Sequence, residues 1–236
     1  MGVFAIGDLH ACPEELDVLL DALRPGGTDT LVFLGDYVDR GPEARVLIER
    51  LLRLREEGPE TVFLRGNHED MLLDYLGFPG RYGDAYLANG GMPTLVSYGV
   101  PRGVRGAAAA ALLPAAHLQF LLDLRPMYES GRFLFVHAGI RPGVPLADQD
   151  EEDLLWIREE SFARWHDLPY TVVYGHTPQR EVHLALPYYI GLDTGLVYGN
   201  KLSCLDVSER RLLQVARGGR RVLTRDLSAE FAAARL

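Results

Sequence analysis

Lysine is nearly missing from this chain of 236 residues: Lys201 is the only one, and arginine supplies the remaining positive charge. The formal net charge is −9. A protein that follows a nucleic acid backbone needs a basic face to neutralise phosphates, so no nucleic acid polymer is expected as a partner. A small phosphate substrate stays open, because bound divalent cations can reverse the local field. Cysteine is almost as scarce. Cys12 and Cys204 stand far apart and in no CxxC pair. They make neither a disulfide framework nor a thiolate zinc site, and read as small buried residues of a cytoplasmic protein. No run approaches the roughly 20 apolar residues a membrane helix needs. The longest apolar tract, residues 107–116, is alanine-rich and interrupted by Pro114. The N-terminus enters Val3-Phe4-Ala5-Ile6 without a basic stretch and a long apolar core, so no signal peptide is expected, and no membrane is expected as a partner.

What is present is a rhythm. Val3–Ile6, Leu31–Leu34, Val62–Leu64, Phe133–Val136, Val172–Tyr174 and Tyr188–Leu192 are short apolar runs of the kind that form buried strands. Between them Glu14–Leu23 follows Pro13, a good first helical residue. Residues 42–57 place Val46, Leu47, Leu51 and Leu54 at helical spacing and stop near Gly58. This alternation predicts an α/β protein with a largely buried sheet. Residues 75–130 break the pattern with glycine-rich turns, an alanine-rich helix and a second helix from Ala115, and read as a helical insertion, a candidate cap. The tail, 201–207, 211–215 and 221–224, has the turns and alternation of antiparallel strands. No repeat or linker divides the chain, so one domain over 1–236 is expected.

Each apolar run ends in residues suited to metal or phosphate. They are Gly7-Asp8-Leu9-His10, Gly35-Asp36-Tyr37-Val38-Asp39-Arg40-Gly41, Arg65-Gly66-Asn67-His68-Glu69, His137-Ala138-Gly139 and Gly175-His176-Thr177. Open α/β sheets bind ligands beyond the carboxyl ends of their strands, so five such clusters would converge. Asp, Asn and His together offer hard oxygen and imidazole nitrogen, a set that suits Mn, Fe or Zn. Strand alternation would send Asp8 and His10 to one face. Any one cluster could be a turn or a helix cap; Asp39, for instance, could be a simple N-terminal acid of the helix after Pro42. Glu69 and Asp70 read as helix-start residues, Arg65 as structural, and His117, His166 and His183 lie outside the motifs.

Taken together the motifs resemble those of the calcineurin-like metallophosphoesterase superfamily, in its phosphoprotein phosphatase branch, over about residues 3–200. Trp156-Ile157-Arg158 and Asp193-Thr194-Gly195 agree with a likeness to bacterial and phage protein phosphatases. The resemblance implies mixed β-sheets in a sandwich flanked by helices. It implies two divalent ions, manganese first and iron or zinc after it, roughly 3.5–4 Å apart with an activated bridging hydroxide. Carried over by motif, Asp8 and His10 hold the first ion, Asp36 bridges, and Asn67, His137 and His176 complete the second. His68, oriented by Asp39, protonates the leaving oxygen, and Arg40 and Arg158 clamp the phosphoryl oxygens. Arg158 rests on a three-residue match. Ala11 departs from the glycine usual in the family, so a less strained or shifted turn is expected there.

The substrate implied is a phosphorylated protein, bearing phosphoserine or phosphothreonine, or a small phosphate ester. The alternative is a symmetrical diadenosine tetraphosphatase or related nucleotide hydrolase. Bacterial enzymes of that branch usually replace the second Asp of GDxVDRG and read GNHD; this chain keeps Asp39 and reads GNHE. A binding module without turnover is disfavoured, because such a module needs no general acid. Tyr82, Tyr86, Tyr98 and Phe78 could stack on an adenine or fill the core of the insertion. Oligomeric state is not assigned.

Overall fold

A computed structural model describes residues 2–158 and 165–235. In chain order the strands are β1 (Val3–Ile6), β2 (Thr30–Phe33), β3 (Glu60–Phe63), β4 (Met127–Ser130), β5 (Phe133–Val136), β6 (Thr171–Tyr174), β7 (His183–Ala185), β8 (Tyr189–Gly191), β9 (Lys201–Asp206), β10 (Arg211–Ala216) and β11 (Val222–Asp226). The helices are α1 (Pro13–Leu23), α2 (Ala44–Glu57), α3 (Asn67–Tyr75), α4 (Met92–Ser97), α5 (Ala107–Ala110), α6 (Ala115–Leu122), α7 (Glu151–Trp156) and α8 (Ser228–Ala233).

Two mixed sheets form, in the orders β11-β10-β9-β1-β2-β3 and β4-β5-β6-β8-β7. The period of two along each strand divides its side chains between two cores. On β1, Phe4 and Ile6 face the helices while Ala5 faces the other sheet; on β2, Leu31 and Phe33 face the helices while Val32 and the following Leu34 turn inward. On the second sheet Phe135 and Val173 turn inward, and Leu134, Val136, Val172 and Tyr174 pack outward with Leu154 of α7. The sheets therefore pack face to face, with helices outside each: the α/β sandwich that the resemblance implies.

The parallel strands fix where the site lies. β1, β2 and β3 run parallel, as do β5, β6 and β8. Asp8, Asp36, Asn67, His137 and His176 all fall just past the carboxyl ends of these strands, at one end of both sheets. Gly35 has φ +101, and a Cβ there would lie 2.8 Å from both Gly66 Cα and His137 Nδ1. Only glycine lets the β2 and β3 loops close on each other at that point.

Several elements differ from the sequence reading. β4, β7 and α8 are absent from it. β4 pairs antiparallel with β5, so the stretch read as insertion ends in a strand of the second sheet. β7 has three residues and all are half-buried, too short for a periodicity to show. The aromatics of 75–130 divide: Tyr86 and Tyr98 are buried in the helix-side core, Phe78 packs against it, and Tyr82 is exposed.

Candidate metal centre

Asp36 lies at the middle of the cluster. Its Oδ2 is 3.4 Å from His10 Nε2 and its Oδ1 is 3.4 Å from His137 Nε2. One set of mutually close ligand atoms comes from His10, Asp36 and His68, and a second from Asp36, His137 and His176. Asn67 Oδ1 joins the second set, at 3.0 Å from both His137 Nε2 and His176 Nδ1. Asp8 is buried beside them, accepting the His176 backbone N–H at 3.1 and 3.2 Å. All six residues carried over as ligands thus come within one buried cluster.

The imidazoles are set up to give lone pairs. His10 Nδ1 donates to the Val38 carbonyl at 2.9 Å, and His137 Nδ1 donates to the Leu34 carbonyl at 2.8 Å. Each leaves Nε2 as an acceptor pointing into the cluster, the arrangement by which a backbone carbonyl fixes a ligand histidine. Burial pushes His10 down to about 3 and lowers His137 and His176 as well, so all three stay neutral. Neutral Nε2 lone pairs therefore face the oxygens of Asp36 and Asn67 with no proton between them. Burial opposes ionisation of Asp36, but His137, His68 and His10 outweigh it and hold its carboxyl below the usual range; two neighbouring carboxylates go the other way. Burial first, then Asp193 and Asp36, raises Asp8 well above the usual carboxylate range, and burial with help from Asp36 pushes Asp193 up to about 6. A group of acceptors with too few protons is what divalent cations satisfy. The residues fit the two ions.

Backbone geometry here is costly and shared. His10, Ala11, Asp36, Asp39, Arg40 and His176 all have positive φ, between 42 and 70°. Such conformations cost roughly 1–2 kcal/mol each for residues with a Cβ, and they cluster at functional sites. Ala11 keeps the left-handed turn at φ 56. The substitution for glycine does not relax the turn, contrary to expectation; alanine carries the strain, with its N–H bonded to the Tyr37 carbonyl at 2.7 Å. Likewise His10 reaches the cluster through a turn rather than by strand alternation, since β1 ends at Ile6.

A second arrangement adjoins the ligands. His68 Nδ1 meets Asp39 Oδ2 at 2.7 Å, both side chains being buried. Nδ1–H donates to the carboxylate, so Nε2 is the nitrogen with chemistry to offer; it is buried and makes no hydrogen bond. The His68 ring stands edge-on to that of His10 with centroids 4.8 Å apart. Burial opposes its protonation, but Asp36 and Asp39 outweigh burial and raise His68 above the usual imidazole range.

The two arginines behave differently. Arg40 Nη1 donates to His10 Nε2, and its guanidinium lies 5.4 Å over the ring of the exposed Tyr198. In this rotamer Arg40 occupies the nitrogen His10 would give to an ion, so a phosphate clamp requires it to swing outward. Arg158 is exposed and lines an open hollow of about 490 Å³ with Arg141, Trp156 and Ile157. Its charge is among those that lower His176, after burial and His137. The Trp156 ring stands edge-on to His176 at 6.4 Å and to Tyr82 at 5.0 Å.

A family model described as calcineurin-like phosphoesterase matches residues 1–204. The chain belongs to that family. It is similar to the asymmetrical bis(5'-nucleosyl)-tetraphosphatase of Bacillus thuringiensis, at 28% identity over 89% of this chain and 92% of that protein. Among solved structures it resembles a crystal structure provisionally named a diadenosine tetraphosphatase, with TM-score 0.69, 27% identity and coverage of 91% and 93% of the two chains. It shares its fold, at TM-score 0.61 and 19% identity over 94% of this chain and 80% of the other, with a cold-active protein-tyrosine phosphatase of a psychrophilic Shewanella. This calcineurin-like phosphoesterase is a hydrolase of phosphate compounds, and the family's centre is dinuclear with divalent ions.

Some residues of the site are missing from the sequence reading. Glu69 was read as a helix-start residue, and it is one: it sits in the first turn of α3 and accepts the backbone N–H of Gly66, the residue before the helix, at 3.0 Å. Its carboxylate also accepts N–H groups of Asp36, Tyr37, Val38 and Gly66 at 2.7–3.1 Å. It thereby shapes the loop that presents both Asp36 and Asp39. Asp193, quoted only as part of a family match, is buried against the ligand cluster. Tyr86 and Thr94 donate to Asp39, and nothing in their sequence surroundings signals this. The three histidines outside the motifs instead bond Tyr98, Tyr188 and Tyr174.

Proposed function

We propose that the protein is a phosphomonoesterase acting on phosphorylated hydroxyls, phosphoserine and phosphothreonine among them. The observation that carries this is the buried Asp39–His68 pair with an unpartnered Nε2 at the edge of the ligand cluster. A serine alkoxide is a poor leaving group and needs a proton as its bond to phosphorus breaks. A polyphosphate leaving group is a weaker base and needs it less.

Asp8, His10, Asp36, Asn67, His137 and His176 would hold the two ions, manganese fitting the mixed donor set first, iron or zinc after it. When bound, those ions supply Lewis acidity and an acidified water. The chain's own residues do the rest. Arg40, rotated off His10, and Arg158 bind the phosphoryl oxygens. Asp39 holds the Nδ1 proton of His68, and His68 delivers the Nε2 proton to the departing oxygen. We infer a cytoplasmic enzyme with both cysteines reduced, and one domain over 1–236 with 75–130 inserted.

A second reading, hydrolysis of dinucleoside polyphosphates, has at least equal support from the relatives. Of those named above, the Bacillus protein is an asymmetrical tetraphosphatase and one solved structure carries a diadenosine tetraphosphatase name; the GNHD contrast concerns the symmetrical kind and does not bear on the Bacillus protein. Exposed Tyr82 and Tyr198, near Trp156 and Arg40, offer ring faces a base could use. The test is kcat/KM on a phosphoserine peptide and on diadenosine tetraphosphate with Mn²⁺. A peptide preference, or parity, supports the first reading. A dinucleotide preference beyond about a hundredfold, roughly 2.7 kcal/mol of transition-state discrimination, replaces it with the second.

A further inference from the structure

Among the described residues, Tyr86, Gly90 and Thr94 of the insertion reach Asp39 and Arg40 through four hydrogen bonds. The Tyr86 hydroxyl donates to Asp39 Oδ1 at 2.7 Å. The Thr94 hydroxyl donates to the same oxygen at 2.8 Å and accepts the Asp39 backbone N–H at 2.8 Å. The Gly90 carbonyl accepts the Arg40 backbone N–H at 3.0 Å. Tyr86 and Thr94 are fully buried, as is Asp39. A threonine hydroxyl has one proton, and here Asp39 Oδ1 takes it while the oxygen's lone pair takes the Asp39 N–H. The hydroxyl's proton and one of its two lone pairs are thus both engaged with Asp39. Oδ1 thus carries two hydroxyl donors and Oδ2 is left for His68 Nδ1.

Asp39 and Arg40 are consecutive residues with φ 70 and 67, a backbone that must be held by its surroundings. The holders come from 47 and 55 residues further along the chain. Without them the Asp39 carboxylate could turn about its Cβ–Cγ bond, a soft torsion, and His68 would lose its fixed direction.

We propose that Tyr86 and Thr94 are positioning residues for proton donation: they clamp the Asp39 carboxylate so that His68 Nε2 points at the leaving oxygen. The insertion is then part of the proton-donating apparatus. This inference rests on His68 being the donor, and the experiment separates the two claims. With Mn²⁺ saturating, kcat and KM are measured on phenyl phosphate and on 2,4-dinitrophenyl phosphate, a poor and a good leaving group. The variants are Thr94→Val, Thr94→Ser, Tyr86→Phe, His68→Asn and Thr94→Val combined with His68→Asn, each checked by melting temperature.

Thr94→Val and Tyr86→Phe should lower kcat on phenyl phosphate by about tenfold, part of the 10²–10⁴ a general acid contributes. They should leave KM and the dinitrophenyl ester nearly unchanged. Thr94→Ser should restore the rate. In the His68→Asn background Thr94→Val should cost less than about twofold, because residues acting through one group are not additive. A loss equal on both esters, a loss that persists without His68, or no loss at all overturns the inference. If His68→Asn itself falls equally on both esters, or the wild type turns over neither, the donor reading fails and the inference falls with it. Should Thr94→Val not fold, Tyr86→Phe carries the same cycle, since it removes one oxygen and keeps the ring.

Discussion

The two halves of the centre are built in different ways. The half proposed to hold the ions comes from loops that follow β1, β2, β3, β5 and β6, so each candidate ligand lies within a few residues of a buried apolar run. The half proposed to donate the proton is held from a distance: Asp39 is bonded by Tyr86 and Thr94, and the loop bearing Asp36 and Asp39 is folded around Glu69. Ligands can be local because a parallel sheet converges its strand ends whatever lies between them. Orientation of a carboxylate demands hydrogen bonds on specific atoms, and any segment that packs nearby can provide them.

The largest effect should come from the ligand half. Asp36→Asn removes the carboxylate that both ligand sets share, and the rate should fall by about 10³ or more, the several kcal/mol that metal chemistry supplies. Elemental analysis should show fewer ions per chain. Wild-type rate and ion content in this variant would remove Asp36 from the centre of the cluster.

His68→Asn addresses the donor half alone. It should lower kcat by roughly 10²–10⁴ while the ion content stays at the wild-type ratio. A parallel loss of ions would merge the two halves and make His68 a ligand, a role its closeness to His10 and Asp36 permits.

Glu69→Ala tests what joins them. Four buried N–H groups would lose their acceptor. Unsatisfied buried donors cost about 1–3 kcal/mol each, less when the loop relaxes, so urea unfolding should show a loss of roughly 3 kcal/mol. Ion content and kcat should both fall, since Asp36 and Asp39 share that loop. Unchanged stability would mean that the loop holds its shape without Glu69.

The smallest effect belongs to the rim. Arg81 lies 3.7 Å from the buried Asp70 and 3.6 Å from Glu151, and Arg65 keeps the same two partners at 3.7 and 3.6 Å. Arg81→Ala should therefore cost under about 1 kcal/mol, as partly exposed pairs do, with kcat unchanged. A tenfold fall in kcat would show that α7, which bears Trp156 and leads to Arg158, depends on this ion-pair network.

The same division explains what could be read from the sequence. Asp8, Asp36, Asn67, His137 and His176 announce themselves beside strands, often with a glycine whose lack of Cβ the site uses. Strand cores were visible because β1, β2, β5 and β6 are apolar on both faces, buried between two sheets or under helices. β4 and β7 were not, because none of their residues is buried. Tyr86 reads from the sequence only as an aromatic for stacking or core and Thr94 carries no signal at all, since no spacing rule links position 39 to positions 86 and 94. Ala11 could be flagged as a departure, but its backbone could not be foreseen: its N–H is bonded to the Tyr37 carbonyl of the loop after β2, a partner 26 residues away that the sequence around Ala11 does not announce.

The direct test of a two-ion centre is to strip the protein with a chelator and titrate Mn²⁺ back while following turnover and bound metal together. Activity should be absent in the stripped protein and return in step with ions bound, reaching its plateau at two per chain. Ca²⁺ should restore it poorly, because Ca²⁺ prefers shells made of oxygen alone. Full turnover in demonstrably metal-free protein, or a plateau reached with one ion bound, would contradict the account.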